Sequence, residues 1–338
     1  MRRRELVAGF AAVMLSNVAP QRTEAQQAFR RWIGILGAVP VSPDLPVMLA
    51  FRRGLAESGF FEEQNISFEF RAGVGDVRLR EIAEDLLSRH PALIVALSGP
   101  DPVLALKAAT STVPIVFISG LDPIKYGYVS SLNRPGGNIT GITFMSSETI
   151  GKRLNLLLEL VPHAEIIGHL SGPSDPVRRE WIARTMESAK ALGREIIVQE
   201  VRRSPNANLT FNDDIEKAFA SFVERRVSAI TVPPDVFFTG SRGSAVIEFA
   251  ARYKLPAVYG DQFFTRRGGL MSYAAHMDTL YHQLGRQFVA PILKGANPAD
   301  LPVQQPTKFN LGINLKTAKA LGLTIPETLL ATADEVIQ

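Results

Sequence analysis

The strongest constraint in this chain is a repeated alternation between short apolar runs and longer amphipathic stretches, which begins at Trp32. The runs 93–97 and 115–118 contain no polar residue, whereas the stretches between such runs carry apolar residues at helical spacing. Continuous apolar strands separated by helices are typical of a parallel sheet that helices cover on both faces. The predicted fold class is therefore α/β.

The alternation divides the chain into two similar parts. In the first part, strands are predicted at 32–36, 66–70, 93–97 and 115–118, with helices at 47–58, 79–89 and 103–109. After Gly141 come predicted strands at 166–170, 195–199, 229–232 and 256–259, with helices at 150–161, 177–192, 213–225 and 242–253. A chain of 338 residues is long enough for two such units, each with its own core. We therefore expect two lobes around a cleft.

More secondary structure follows these two units. A strand is predicted at 269–273 and a helix at 277–293, and the segment 308–314 could pair back into a sheet. Because both units are already complete, these elements predict that the chain crosses between the lobes more than once.

The N-terminus has the pattern of an export signal. Three arginines at 2–4 precede an apolar stretch at 6–15, and small and polar residues then lead to Ala25. The apolar stretch is too short to span a bilayer. We predict a signal peptide at 1–25 and a periplasmic location. The arginines leave twin-arginine export open, and a buried first helix is the structural alternative.

Composition excludes several functional classes. The 37 basic and 33 acidic residues give a formal charge of only +4 without a long basic run, so nucleic-acid binding is not expected. The absence of cysteine excludes disulfides, cysteine-ligated zinc and thiol nucleophiles. The five histidines show no pairing at helical spacing, so no metal site is predicted.

Enzyme motifs are also missing from the sequence. The phosphate-binding pattern GxxxxGK[ST], the nucleophile pattern GxSxG and the zinc pattern HExxH are absent. The segment 73–78 begins like a dinucleotide fingerprint, but Arg78 stands where that motif needs glycine. We therefore predict a protein that is not an enzyme, with no catalytic residues and no cofactor.

Small and polar residues follow most of the predicted strands, and ligands bind in open parallel sheets outside the carboxyl ends of the strands. Ser98 and Gly99, just before a helix, are the best pair for an anionic oxygen, and Asp235 is the best partner for an ammonium or hydroxyl group. The predicted ligand-binding residues are Pro40, Ser98, Gly99, Ser119, Asp122, Ser171, Asp235, Phe237, Asp261 and Tyr273.

Each of these residues also has a structural interpretation. Serine, aspartate, glycine and proline at the junction of a strand and a helix are ordinary cap and turn residues. Aromatic residues lie close to the same loops and could form a stacking box for a ring or sugar face, or belong to the core. These aromatic residues are Phe144, Phe237, Phe238, Phe263, Phe264 and Tyr273.

Several segments, in order along the chain, resemble one family of substrate-binding proteins of ABC importers, the family that includes tryptophan-binding receptors. The matching segments are FRRGLAESGF at 51–60, VPIVF at 113–117, SLNRPGGNITG at 131–141, GGLMSY at 268–273, LPVQQPTKF at 301–309 and NLKTAKALGL at 314–323.

The resemblance implies the type I periplasmic-binding fold, with two Rossmann-like lobes, three crossovers and a ligand enclosed by hinge motion. We place the first lobe at 30–142 plus about 275–305, and the second at 143–274 plus about 306–338. The implied partners are the permease subunits of an ABC importer in the inner membrane, and the implied protein is a monomer.

Two loops depart from the family pattern. The chain has Ser-Gly-Pro-Asp at 98–101 where members commonly carry a Gly-Gly-Thr-like turn, and Ser-Gly-Pro-Ser at 171–174 where Asn-Pro-Asn is usual. Asp235 and the phenylalanines at 237 and 238 keep the usual Asp-x-Phe-Phe pattern. A binding function therefore carries over, but tryptophan as the ligand does not.

The predicted function is capture of a small amino-acid-like, aromatic or carboxylate solute between the lobes and its delivery to the permease. One alternative is a ligand sensor of the same fold that feeds a signalling partner such as a kinase. A hydrolase is the other alternative. Turnover of a bound solute would favour the hydrolase.

Overall fold

Parallel strand pairing organises the described part of the chain into two sheets. The computed structural model describes residues 31–73, 75–97, 99–173, 177–201, 211–238 and 241–338. The predicted signal peptide at 1–25 and the candidate residue Ser98 therefore lie outside the described residues.

The first sheet has five parallel strands in the order β2-β1-β3-β4-β5. Its strands are β1 (Arg31–Gly37), β2 (Ile66–Ala72), β3 (Leu93–Leu97), β4 (Ile115–Ser119) and β5 (Ile139–Thr143), and the helices between them are α1 (Pro46–Ala56), α2 (Asp76–Ser88) and α3 (Pro100–Ala109). The four predicted strands and three predicted helices are confirmed. Strand β5 was not predicted, because its sequence Ile-Thr-Gly-Ile-Thr lacks a continuous apolar run, yet all five of its residues are buried.

The second sheet has seven strands in the order β12-β11-β10-β9-β8-β6-β7. Its strands are β6 (Ile166–Ser171), β7 (Glu195–Glu200), β8 (Ala229–Val232), β9 (Ala257–Tyr259), β10 (Met271–Ala275), β11 (Phe309–Asn314) and β12 (Glu335–Ile337). Every pair is parallel except β10 with β11, which is antiparallel. The predicted return of 308–314 to a sheet is confirmed.

Helices cover both faces of the second sheet as well. The helices of this half are α4 (Ile150–Leu160), α5 (Val177–Ala191), α6 (Phe211–Glu224), α7 (Ser241–Arg252), α8 (Gln262–Arg266), α11 (Leu315–Ala320) and α12 (Glu327–Thr332). Helices α4 and α5 pack on one face, and α6 and α7 pack on the other. The first sheet has the same arrangement, with α1 on one face and α2 and α3 on the opposite face. The predicted α/β class is therefore confirmed.

The helical segment after β10 returns to the first sheet. It consists of α9 (Met277–Gln283), a π-helical turn at Leu284–Val289 and α10 (Ala290–Leu293), so the single helix predicted at 277–293 contains a π turn. Its apolar side chains Leu280, Leu284 and Phe288 join Phe51 of α1 in the core of the first half. This packing ties a late part of the chain to its beginning. The lobe limits stay a prediction.

Two glycines allow α1 and this returning segment to approach closely. A Cβ atom at Gly54 would lie 2.1 Å from the backbone oxygen of His282, and one at Gly285 would lie 2.4 Å from the backbone oxygen of Phe51. Both obstacles are backbone atoms, which cannot move aside without shifting a helix.

No helix in the described ranges is both long and apolar enough to cross a membrane.

We expect Gly54→Ala to lower the free energy of unfolding by about 1–3 kcal/mol, since the added methyl group forces α1 away from the returning segment. The matched control is Gly151→Ala in α4, where the new Cβ would meet its nearest neighbour, Ser188, at 3.6 Å. That variant should gain roughly 0.5–1 kcal/mol from helix propensity. Urea unfolding measures both, and equal midpoints for the two variants would contradict the proposed close approach.

Candidate functional site

In the first sheet, the candidate site lies where the connections change direction. Strands β1 and β3 are neighbours, but the helix after β1 packs on one face and the helix after β3 packs on the other. Such a switch point opens a crevice between two strand ends, where open α/β sheets bind ligands. Pro40 follows β1, and Gly99 lies between β3 and α3. Gly99 has φ of 109°, in the region that favours glycine.

The second sheet has its own switch point, between β6 and β8. Helix α5, after β6, packs on one face, whereas α7, after β8, packs on the other. Ser171 ends β6, and Asp235 and Phe237 follow β8. The candidate residues Pro40 and Gly99 thus follow the two strands of one switch point, and Ser171, Asp235 and Phe237 lie at the ends of the two strands of the other.

Gly172 brings the carboxylate of Asp235 to the end of β6. A Cβ atom at Gly172 would lie 2.4 Å from Oδ2 of Asp235, so only glycine leaves room for this carboxylate. The other carboxylate oxygen, Oδ1, accepts a hydrogen bond of 2.9 Å from the backbone N–H of Phe237. Asp235 is only 4% exposed, and its carboxylate is therefore held in a defined position at the crevice.

The ring of Phe237 is covered by a cation. The guanidinium of Arg242 lies 4.5 Å from the ring centroid, and its Nη1 donates to the backbone oxygen of Phe237 at 3.3 Å. Phe237 also packs edge-on against Phe238, which is fully buried. Another aromatic candidate, Phe264, stacks on Tyr259 at 4.5 Å within the core. Phe238 and Phe264 therefore belong to the core, and they do not form a stacking box.

Three of the predicted binding residues make turn contacts. The buried Ser119 accepts from the backbone N–H of Leu121 at 3.2 Å, and the buried Ser171 donates to the backbone oxygen of Gly172 at 3.4 Å. Asp122 accepts from the backbone N–H groups of residues 124 and 125 at 2.9 and 3.2 Å. These contacts fit the structural interpretation of such residues. Their role in ligand binding stays a prediction.

Asp261 follows β9 in the second sheet and interacts electrostatically with Tyr281, on a helix that packs on the first sheet. It caps α8, because its Oδ1 accepts from the backbone N–H of Phe263 at 2.9 Å. Burial raises the pKa of Asp261, against the opposing effects of that N–H group and of Arg266. Burial and the neighbouring charge of Asp261 also raise the pKa of Tyr281. Tyr281 belongs to α9, which packs on the first sheet, so this pair juxtaposes groups from both halves.

Tyr273 is the last of the predicted residues. It lies on β10, only partly buried, and its ring stacks on Phe309 with centroids 5.8 Å apart. It stands two strands away from the switch point of the second sheet.

A buried pair of basic side chains, which the sequence analysis did not single out, lies under this part of the second sheet. Arg153 and His169 are each 1% exposed. The guanidinium of Arg153 donates to Thr149 Oγ1 and to the backbone oxygen of Ser146, and no carboxylate among the described residues pairs with it. Burial lowers the pKa of Arg153 to about 10. Burial and the charge of Arg153 lower the pKa of His169 to about 3. His169 points to the same face of β6 as Ser171, two residues further on.

Sequence patterns carried a signal for Arg153. It stands three residues after Ile150 and four before Leu157 in α4, which places it on the inward face of that helix. A charged residue at an inward position of a helix is unusual, and it indicates a buried polar cluster.

One cavity borders the candidate site, and a second lies beside α9. One, of about 720 Å³, lies at the carboxyl ends of β1 and β2 and is bordered by Pro40. Arginines 71 and 78 line it together with acidic residues of α2. The other, of about 550 Å³, lies between α9 and the segment 304–310 and is lined mostly by amide and hydroxyl side chains.

Comparison with known proteins adds a consistent set of similarities. A family model described as ABC transporter substrate binding protein matches residues 44–337. The tyrosine-binding protein of Clostridioides difficile is 26% identical over 309 residues, which cover 91% of this chain and 86% of that protein.

Two solved structures are similar over almost the whole chain. The ABC domain from Streptococcus pneumoniae in complex with L-Trp has a TM-score of 0.77 and 25% identity, and the match covers 91% of this chain and all of that one. A conserved domain protein from Vibrio cholerae has a TM-score of 0.77 and 25% identity, over 90% of this chain and 99% of that one. The type I periplasmic-binding fold predicted from the sequence is confirmed.

The buried His169 makes stability depend on pH. Folding lowers the pKa of His169. In the unfolded chain His169 is therefore protonated below about pH 6.5, whereas in the folded chain it stays neutral down to about pH 3. The contribution of neutral His169 to the free energy of unfolding is therefore fully present above about pH 6.5. It decreases as the pH falls, by up to about 1.4 kcal/mol per pH unit. We expect His169→Val to remove this part of the pH dependence.

Urea unfolding at pH 7, 5.5 and 4.5 measures the effect. The matched control is His163→Val, at an exposed position in the turn after α4, which should keep the pH slope of the wild type. An unchanged slope in His169→Val would show that His169 is protonated in the folded protein.

Proposed function

Because the chain belongs to the family of ABC transporter substrate-binding proteins, we propose that it binds an amino acid between its two halves and delivers it to an importer permease. An aromatic amino acid is the preferred class, since the curated relative is a tyrosine-binding protein and one similar structure contains L-Trp. The binding site consists of the two switch-point crevices.

The observation that carries this proposal is the coincidence of candidate residues with both switch points. Five of the described candidate residues lie at or just after the ends of the four strands that border the two switch points. These residues are Pro40, Gly99, Ser171, Asp235 and Phe237.

The chemistry of the crevices fits an amino acid. Helix α3 begins directly after Gly99 without a side-chain cap. Pro100 and Pro102 carry no N–H group, so the backbone donors that suit a ligand carboxylate at this helix start are those of Gly99, Asp101 and Val103. Asp235 and Asp261 follow the neighbouring strands β8 and β9, and either carboxylate suits a ligand ammonium group. The first half of the molecule would hold the carboxylate of an amino acid, and the second half would hold its ammonium group.

Binding in this position links capture to hinge motion. A ligand that contacts both halves has a higher affinity for the closed form than for the open form, and that difference in affinity drives closure. The closed protein then presents both halves to the permease in the inner membrane. The protein works in this role outside the cytoplasm, after export by a signal peptide that is cleaved after Ala25. It acts as a monomer and has no catalytic activity.

We expect L-tyrosine or L-tryptophan to raise the melting temperature of the purified protein, because a ligand at a hundred times its dissociation constant stabilises by about 2.7 kcal/mol. Asp235→Ala should abolish the shift while the protein without ligand still melts cooperatively. A thermal-shift series with the twenty amino acids measures both.

Asp300→Ala is the matched control, since Asp300 is exposed in the short turn after α10, away from both crevices. It should keep the full ligand-dependent shift. The proposal is wrong if no amino acid shifts the melting temperature, or if Asp235→Ala and Asp300→Ala respond equally to the ligand.

A further inference from the structure

Polar side chains join the two halves beside the segment that follows β5. Lys125 and Tyr126, in the loop after β4, both contact the carboxylate of Glu180 in the first turn of α5. Lys125 Nζ lies 2.8 Å from Glu180 Oε2, and the hydroxyl of Tyr126 donates to the same oxygen at 3.0 Å. Ser147, in the 3₁₀ turn Ser146–Thr149, also hydrogen-bonds to Glu180. We call Lys125, Tyr126, Ser147 and Glu180 the interlobe latch.

The residues of the latch belong to different structural units. The loop that carries Lys125 and Tyr126 extends from β4 of the first sheet, whereas α5 packs against β6 and β7 of the second. A relative rotation of the two sheets must therefore stretch these contacts or pivot about them.

The loop after β4 is shaped to present the latch. Asp122 accepts from the backbone N–H groups at 124 and 125, which fixes the turn that carries Lys125 and Tyr126. Leu121 is buried in the core cluster formed by α4 and α5, so the base of the same loop reaches into the second half. Next to Glu180, the indole N–H of Trp181 donates to Ser146 Oγ at 3.1 Å. The loop, the 3₁₀ turn and α5 are thus interconnected.

The carboxylate of Glu180 depends on its partners to remain ionised. Its side chain is only 13% exposed, and burial alone would raise the pKa of Glu180. Hydrogen bonds from Lys125, Tyr126 and Ser147 outweigh burial and hold that pKa below its usual value. Burial and the same carboxylate raise the pKa of Tyr126 to about 12. Charge-assisted hydrogen bonds of this kind are stronger than those between neutral groups.

We propose that Glu180 is a positioning residue that sets the ligand affinity of the cleft by holding the loop after β4 against the second half of the molecule. The inference rests on the proposed function for its effect on affinity. Its structural part, that the latch holds the two halves together, does not need a ligand.

The expected effect follows from a shift between two conformations. If the latch forms only in the closed arrangement, its loss lowers the population of the closed form, and the measured affinity falls by the same factor. The change should appear in the dissociation rate, because the latch holds a cleft that has already closed around the ligand.

The test uses the full chain in a Trp32→Phe background. The sequence has two tryptophans, so this change leaves Trp181, beside Glu180, as a fluorescent probe of the latch. We expect Glu180→Gln to raise the dissociation rate of L-tyrosine roughly tenfold, the value of a hydrogen bond to a charged group. The association rate should change less than about threefold. Tyr126→Phe should give a smaller increase, and the two changes together should be less than additive because one weakens and the other removes the same hydrogen bond.

The matched control is Glu248→Gln, which breaks an ion pair of 2.7 Å with Arg252 inside α7, within one half. Its dissociation rate should equal that of the parent. A purely structural role for Glu180 would lower the melting temperature and leave the dissociation rate unchanged. The proposal is overturned if the rates of Glu180→Gln and Glu248→Gln agree within about twofold.

Small-angle X-ray scattering without ligand separates this inference from the proposed function. Glu180→Gln should have a larger radius of gyration than Glu248→Gln, because the two halves are no longer held together. If the parent protein binds no L-tyrosine, the proposed ligand class fails, and the scattering result alone decides on the latch. Equal radii for the two variants would then overturn it.

Discussion

Parallel strand pairing is the constraint on which the rest of this structure depends. Two parallel neighbours cannot be joined by a tight turn, so the chain must cross the sheet between them, and here it does so with helices on both faces. The same constraint collects the carboxyl ends of the strands at one edge of each sheet. A switch point arises where two neighbouring strands are followed by helices on opposite faces of the sheet, and such switch points are where open α/β sheets bind ligands. Each half of this protein has one switch point.

Close packing around these crevices depends on a few positions without a side chain. Gly172 admits the carboxylate of Asp235, and Gly54 admits the backbone of the helical segment that returns from the second half. In both cases a methyl group would meet an atom held by the surrounding structure. A carboxylate is positioned in the first case, and α1 is packed against α9, more than 200 residues later, in the second.

Charged and titratable groups inside the second half are buried at a cost in stability. Arg153 is buried without a carboxylate partner among the described residues, beside a histidine that burial keeps neutral. Burying a cation without a carboxylate partner lowers the free energy of unfolding by several kcal/mol, about as much as removing one partner of a buried ion pair. Its guanidinium nevertheless binds the oxygens of Ser146 and Thr149, in the turn that leads from the first sheet into the second. Glu180 contacts the same turn from α5, with a complete set of donors. The connection between the halves thus contacts a buried cation, Arg153, and a partly buried anion, Glu180.

The sequence by itself determined the elements and the fold class, because apolar runs and helical spacing are local patterns. It predicted every strand of the first sheet except β5, where threonine and glycine interrupt the apolar run. It placed no strand at β12 and no helix at α8, α11 or α12, all of which are short. It also located the strand ends, and so the neighbourhood of the candidate site.

Only the tertiary structure decided which strands are neighbours and therefore which of the candidates share a crevice. It also decided that Asp122 caps a turn, that Phe238 and Phe264 belong to the core, and that Lys125 meets Glu180, 55 residues further along the chain. The physical reason is that secondary structure follows from the period of a local pattern, whereas these contacts depend on the order of the strands and on side-chain packing between distant segments. Neither the order of the strands nor the packing between distant segments is visible in a local sequence pattern.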